Sequence, residues 1–459
     1  MKPYYLIGEH LGHSFSVEIH RAFGRYDYEL KELSPAALGP FLKRRDFAGV
    51  NVTIPYKEAV IPFLDHLDPS AAAIGAVNTV VNRDGVLWGY NTDFGGMKAS
   101  LERLCLRRAD DGRPCGEQAS PVRQALLLEK TVLLLGTGGS SKTALAVCRA
   151  LGASVIDRVS RTGREGALRY EELEHSGLRP DLIVNCTPAG MWPDLDGLPL
   201  DLKPFRSCHS ERSEGPASRR SRESASHVPC PPPSAGPAVF DCVYNPLRTR
   251  LVVEAQDLGL PAAGGLYMLV KQAALACERF TGTPVPEAQV DALCNSLRRE
   301  RENLVLIGMP GAGKSTVGRI LAQKCGKKFV DVDEEIEARA GISISAIFAA
   351  SGEARFRDLE AASVREVAAC SGTVVATGGG TVLRAENLRR LRQTGRLILL
   401  DQPLDALLPA PERPLGDTAE KLAALYAARA PLYTAAAELR IDNSGTPEQA
   451  AAAILDAIS

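Results

Sequence analysis

Apolar residues along this chain fall into short β-branched runs, each closed by glycine or polar residues and followed by a helical period. The run at 4–8 predicts a strand, and 17–23 a helix after the loop G-H-S-F-S at 12–16. Residues 49–57, G-V-N-V-T-I-P-Y-K, read as a strand in which Asn51 and Thr53 alternate with apolar neighbours. Two more β runs carry G-A-V-N-T at 75–79 and G-Y-N-T-D at 89–93. From 131 the pattern becomes that of buried parallel strands, at 131–135, 153–159, 181–185 and from 240. Helical periods follow at 249–258, after 264 as far as 280, and at 285–297. A second series of strands starts at 304–307, with further runs at 328–333 and 374–377. Strands alternating with helices predict an α/β chain with parallel sheets.

Two stretches break the pattern. Residues 107–124 are irregular, and 203–237 turn Ser/Arg/Glu-rich and then Pro-rich without apolar periodicity. About 206–237 therefore reads as a disordered insertion. The expected layout is an α/β domain over 1–104, completed by helices at about 247–297, and a dinucleotide-binding domain over 105–246. A short charged linker at 298–302 and a phosphate-loop domain over 303–459 complete it. A length of 459 residues already calls for more than one core. A net charge of −1 gives no reason to expect nucleic acid or an acidic membrane as partner, and leaves a homo-oligomer open. The 11 cysteines show neither C-x-x-C nor zinc spacing. With no signal-type or membrane-length apolar run, the expected location is cytoplasmic.

The strongest chemical signal is G-M-P-G-A-G-K-S-T at 308–316, between an apolar strand and a helical period. Its glycines let backbone N–H groups turn toward phosphate oxygens. Lys314 reaches the β- and γ-phosphates, and Ser315 ligates Mg²⁺. The acids of K-F-V-D-V-D at 328–333 alternate and so share one side of a strand, where they either meet metal and substrate or cap the next helix. Arg357, three glycines at 378–380, Arg413 and Arg429 follow, a set suited to an anionic ligand.

The first half carries a different constellation. Ser14 and Ser16 either bind a polyhydroxy ligand or cap a helix. Asn51, Thr53, Lys57, Asn78 and Asp93 lie at polar strand ends that point to one pocket, with Lys57 and Asp93 as an acid/base pair. G-T-G-G-S at 136–140 supplies two glycines of a dinucleotide loop, although Ser141 replaces the third. Arg161, with Arg164 close by, stands where an acid would select NAD, and so suits the 2′-phosphate of NADP.

Taken in order, S-x-S, N-V-T-x-P-x-K, A-V-N-T, N-T-D, N-C-T-P-x-G-M, Y-N-P and G-G-L-x-M-L-x-x-Q resemble the shikimate dehydrogenase family over about 1–295. The resemblance implies that Ser14, Ser16, Thr53, Asn78, Asp93, Tyr244 and Gln272 hold shikimate, with Lys57 and Asp93 catalytic. It assigns NADP(H) to Gly136, Thr137, Gly138, Gly139 and Ser140, to Ser160, Arg161, Thr162, Gly163, Arg164 and Glu165, and to Cys242 and Gly265. Residues 303–459 are similar to shikimate kinase. That likeness implies shikimate at Asp333, Arg357, Gly379 and Arg429, and ATP at Gly311, Ala312, Gly313, Lys314, Ser315 and Thr316. Mg²⁺ would lie at Ser315 with Asp331 in its outer shell, Lys314 and Arg413 acting on the transferred phosphoryl group. Together they imply a bifunctional enzyme of aromatic amino-acid biosynthesis that acts on small molecules. It would reduce 3-dehydroshikimate with NADPH and phosphorylate shikimate with ATP. The alternatives are a quinate/shikimate dehydrogenase using NAD, against which Arg161 speaks, or one half kept as a non-catalytic binding module.

Overall fold

The computed structural model describes residues 2–12, 14–24, 26–109, 126–205, 236–407 and 418–458. The insertion expected at about 206–237 lies outside them except for its last two residues, and so does Arg413. The described residues gather into two units. The first comprises Met1–Ala189, Leu198–Tyr244 and Glu254–Cys294, and the second Gly190–Gly197, Asn245–Val253 and Asn295–Ser459.

The first unit holds two sheets. One is six-stranded, in the spatial order Tyr28–Glu32, Tyr4–Gly8, Gly49–Val52, Thr79–Arg83, Val86–Tyr90 and His66–Leu67. Its first three strands are parallel, and Thr79–Arg83 runs antiparallel to both of its neighbours. Val50, Val52 and Val80 bury one face against Phe41, Leu42 and Phe47. The other sheet is five-stranded and wholly parallel, in the order Ala262–Ala263, Ala238–Asp241, Leu182–Asn185, Thr131–Leu135, Val155–Val159. Its central strands are buried except at Thr131, as their continuous apolar runs require. Val132, Leu134, Val184 and Phe240 form one core with Met97 and Leu101 of the helix Thr92–Ala109, where a buried phenylalanine is worth about 3–5 kcal/mol against alanine. The strand order reverses between Thr131–Leu135 and Leu182–Asn185, the switch point beside which doubly wound sheets bind ligands.

The second unit has a parallel sheet ordered Lys328–Asp331, Thr373–Ala376, Asn303–Ile307, Gly395–Asp401, Leu439–Asp442. Asn303–Ile307 is buried along its whole length and delivers the phosphate loop to the sheet's C-terminal edge. Two sequence-based expectations change here. The strand expected to reach Asp333 stops at Asp331, because the Asp331 carboxylate accepts the N–H groups of Asp333 (3.0 Å) and Glu334 (3.5 Å) and starts the helix Val332–Ala340. No separate linker occupies 298–302 either, since the helix Glu287–Arg301 continues to within one residue of the next strand.

Candidate active sites

In the first unit, Lys57 follows the strand Gly49–Val52, and Asp93 lies in the first turn of the helix Thr92–Ala109. The Lys57 ammonium donates to Asp93 Oδ2 at 2.7 Å, with both side chains largely buried. The salt bridge keeps the lysine aimed. A Cβ at Gly139 would lie 3.9 Å from Lys57 Cδ, so the lysine stands against the glycine loop. Lys142 of the helix that this loop opens pairs with Glu58 at 2.8 Å, a second tie across the same gap.

The neighbouring polar residues hold one another. Asn78 Oδ1 accepts the Thr92 N–H at 2.7 Å, and its Nδ2 donates to Thr92 Oγ1 (3.0 Å) and Gln272 Oε1 (3.2 Å). Ser14 Oγ donates to Ser16 Oγ at 2.9 Å at the start of the helix Ser16–Phe23. Thr53 is half-buried, its N–H bonded to the Ile7 carbonyl at 2.9 Å. Tyr244 meets Phe15 edge to face at 5.2 Å, and burial pushes its phenol above the usual range. Thr92 was not selected from the sequence, whereas Asn51 was. Asn51 bonds Tyr28, Thr79 and the Asn78 carbonyl, and so braces Asn78 from behind. For Thr92, the position beside Asp93 in N-T-D was the available signal.

The dinucleotide loop has the backbone its glycines foretell. Gly136 sits at φ +104°, and Gly138 caps the helix Gly139–Ala150, with Thr137 and Ser140 half-buried beside them. Ser160 Oγ accepts the Gly163 N–H at 3.0 Å, fixing a turn that leaves Arg161, Thr162 and Arg164 exposed after the strand Val155–Val159. Cys242 follows the strand Ala238–Asp241, and Gly265 caps the helix Leu266–Thr281 while donating to the Val243 carbonyl at 2.9 Å. These groups fit a dinucleotide: open backbone at a helix N-terminus, and cations at the second strand's end.

In the second unit a cavity of about 610 Å³ is lined by Gly311, Gly313, Lys314, Ser315, Thr316, Asp331, Asp333, Arg357, Gly379 and Arg429. Gly308, Gly311 and Gly313 all have positive φ, at +146°, +86° and +73°. Ala312 is buried behind the loop, its carbonyl accepting the Asn443 amide at 2.7 Å. Lys314 Nζ donates to the carbonyls of Gly308 (3.0 Å) and Met309 (2.9 Å). Ser315 Oγ donates to Asp331 Oδ2 at 2.5 Å, so Asp331 both caps its helix and touches the hydroxyl expected at Mg²⁺.

Asp333 is the least ordinary group. Its Oδ1 is buried without a hydrogen-bond partner among the described residues. Burial, then repulsion from Asp331, pushes its carboxyl up to about 6. Opposite it, Arg357 donates to Glu360 Oε2 at 2.9 Å, and the other Glu360 oxygen accepts from Thr381 at 2.8 Å. Glu360 is 0% exposed, and its i+3 spacing from Arg357 was a signal the sequence reading did not use. Arg429 donates to the Gly379 carbonyl at 3.1 Å, and Tyr433 donates to the same oxygen. The cavity thus unites a phosphate loop, a buried acceptor and two arginines.

Fold and sites together define an oxidoreductase of the doubly wound type joined to a P-loop kinase for a small anionic molecule. Residues 6–80 match the family model for the shikimate dehydrogenase substrate binding domain, and 265–293 that for the shikimate 5′-dehydrogenase C-terminal domain. Residues 310–459 match the model for shikimate kinase. The shikimate dehydrogenase (NADP(+)) of Moorella thermoacetica is 32% identical over 314 residues, covering 62% of this chain and 90% of that protein. That of Geobacillus kaustophilus is 34% identical over 302 residues, 61% of this chain and 93% of that protein. A chorismate mutase/shikimate 5-dehydrogenase fusion from Clostridium acetobutylicum superposes with a TM-score of 0.51 at 29% identity, covering 65% of this chain and 97% of that one. The chain belongs to the shikimate dehydrogenase family, and it carries a shikimate kinase domain after the dehydrogenase.

Proposed function

We propose that the chain catalyses two consecutive steps, reduction of 3-dehydroshikimate to shikimate and phosphorylation of shikimate to shikimate 3-phosphate. The reading rests on one juxtaposition made twice. Lys57–Asp93 faces a dinucleotide loop in one unit, and Asp333 shares a cavity with a phosphate loop in the other.

For the reduction, NADPH when bound supplies the hydride that goes to the ketone carbon. Lys57, aimed by Asp93, donates a proton to the ketone oxygen as it becomes an alkoxide. Asn78, Gln272, Ser14, Ser16, Thr53 and Tyr244 hold the hydroxyls and carboxylate that orient the ring. Exposed Arg161 and Arg164 favour NADP over NAD through the 2′-phosphate.

For the transfer, MgATP when bound supplies the phosphoryl group. Asp333 accepts the proton of the attacking 3-hydroxyl, Arg357 and Arg429 clamp the substrate carboxylate, and Lys314 stabilises charge on the moving phosphoryl oxygens. Ser315 would hold the Mg²⁺ of MgATP, with Asp331 behind it. Arg413 is proposed to act on the phosphoryl group as well. Among the described residues no helix is long and apolar enough to cross a membrane. We place the reactions in the cytoplasm, on small-molecule partners.

The test is to assay each half with its own substrates. NADPH oxidation should depend on 3-dehydroshikimate and give shikimate, and ATP turnover should depend on shikimate. Preference for quinate with NAD, or ATP binding without phosphorylated product, would replace this reading.

A further inference from the structure

One buried titratable side chain of the first unit takes no part in the proposed reduction. His20 lies in the last turn of the helix Ser16–Phe23 and is 1% exposed. Its Nδ1 is 2.6 Å from the Tyr26 hydroxyl, and its ring stacks on that of Tyr28 at 4.0 Å and 13°. Burial pushes the imidazole down to about 3, against a hydrogen bond with the Asn51 side chain. The ring is therefore uncharged at neutral pH, with one nitrogen to donate and one to accept.

Three elements meet at this ring, and each leads to a group assigned to the substrate. On its own helix, Ser16 shares the face of His20 one turn earlier and is buried with it. The second element is the strand Gly49–Val52. Tyr28 donates to Asn51 Oδ1 at 2.8 Å, and Asn51 donates to the Asn78 carbonyl at 3.3 Å and to Thr79 Oγ1 at 3.0 Å. Asn78 adjoins the acid/base pair, since the Val77 N–H before it bonds the Lys57 carbonyl at 2.8 Å. The third element is the helix Leu266–Thr281. The ring centre of its Phe280 is 5.9 Å from that of His20 and 6.1 Å, edge-on, from that of Tyr26, and its Cys277 hydrogen-bonds Tyr26. Gly49 leaves room for the Phe280 ring, to which a Cβ would approach within 2.6 Å. Gln272 stands about two turns before Phe280 on that helix, and its Oε1 accepts from Asn78 Nδ2 at 3.2 Å.

We propose that His20 is a positioning residue for the reduction. It keys the two helices and the strand together, and so fixes Ser16, Asn78 and Gln272 relative to one another. It touches neither substrate nor cofactor. A side chain that only filled space would need no polar partners, whereas this ring bonds both Tyr26 and Asn51 from other parts of the unit. A buried network with its bonds satisfied holds its members in one arrangement. This inference rests on the two-reaction reading, because it takes those three groups as holders of the dehydroshikimate ring.

The test uses the full chain with His20→Ala, His20→Gln and Tyr26→Phe. His20→Ala should raise the KM for 3-dehydroshikimate about tenfold, as misplaced orienting groups do. The KM for NADPH, the NADP⁺ dissociation constant read by calorimetry and shikimate phosphorylation should each stay within about twofold. Tyr26→Phe keeps the ring and loses one bond, and should raise the KM for 3-dehydroshikimate about threefold. His20→Gln keeps a donor and an acceptor, and should recover part of what His20→Ala loses. A KM for 3-dehydroshikimate unchanged in His20→Ala, or in Tyr26→Phe should His20→Ala fail to fold, would overturn the proposal. Equal rises in the KM values for both reductase substrates, tracking a lowered unfolding midpoint, would overturn it too, since that marks general destabilisation. Absence of reductase activity in the unmutated chain would instead strike the two-reaction reading.

Discussion

The two sites treat their key carboxylates in opposite ways. Asp93 stands at a helix N-terminus with a lysine ammonium 2.7 Å away, and the amides and hydroxyls around it satisfy one another. Asp333 keeps a buried oxygen with no partner among the described residues, and Asp331 repels it. The first arrangement is stable in itself and holds a proton donor in place. The second is a desolvated acceptor whose best partner is a hydroxyl brought by the substrate. Proton delivery to an alkoxide needs a fixed donor, whereas activating a hydroxyl needs a base whose affinity for protons has been raised.

The sharpest break between the sites comes from removing one cation at a time. Lys57→Ala should lower ketone reduction about 10³-fold and leave phosphorylation unchanged, while Lys314→Ala should do the reverse. Parallel assays of both reactions on each folded variant check this. Loss of both activities in either variant would end the two-site account.

A smaller effect is expected from Asp333→Asn, about 10²-fold in phosphorylation. The unmutated kinase should show an acid limb in kcat/KM near the value of about 6 to which burial pushes Asp333, and the variant should lack it. Stability should move the other way. The folded value lies above the ordinary 3.8, so the protonated form favours the fold. That contribution is complete below 3.8 and is lost as pH rises through about 6. Asp333→Asn should therefore stabilise the protein at neutral pH by about 2–3 kcal/mol, with no gain at the acid end. Urea midpoints across this range would read it, and a destabilised variant at pH 7 would contradict the desolvated-acceptor picture.

Arg161→Ala is the mildest change. Removing one exposed contact to the 2′-phosphate should cost about tenfold in kcat/KM for NADPH and little for NADH. Equal effects on the two cofactors would remove Arg161 from the proposed selectivity.

Much of this contrast was legible in the residues. Alternating β-branched runs and glycine turns set the strands, because a buried parallel strand admits little else. Lys57, Asp93 and Asn78 stood out as polar groups at apolar strand ends. Asp331 and Asp333 were harder. Their alternation is compatible with a strand, and only the cap at Asp331 moves Asp333 into a helical turn. Glu360 went unselected because nothing in a solvated-looking helix announces that one acid is fully buried beneath an arginine. The bonds from Arg390 and Gln393 to 195–196 join positions nearly 200 apart, which no local pattern encodes.

The central claim is that one chain makes shikimate and then phosphorylates it. The direct measurement incubates the full chain with 3-dehydroshikimate, NADPH and MgATP, and follows NADP⁺, ADP and products together. The account predicts shikimate 3-phosphate, with one ADP formed for each NADP⁺ once shikimate has passed its steady level. NADP⁺ formation with shikimate accumulating and no shikimate-dependent ADP, or no NADP⁺ at all, would contradict it.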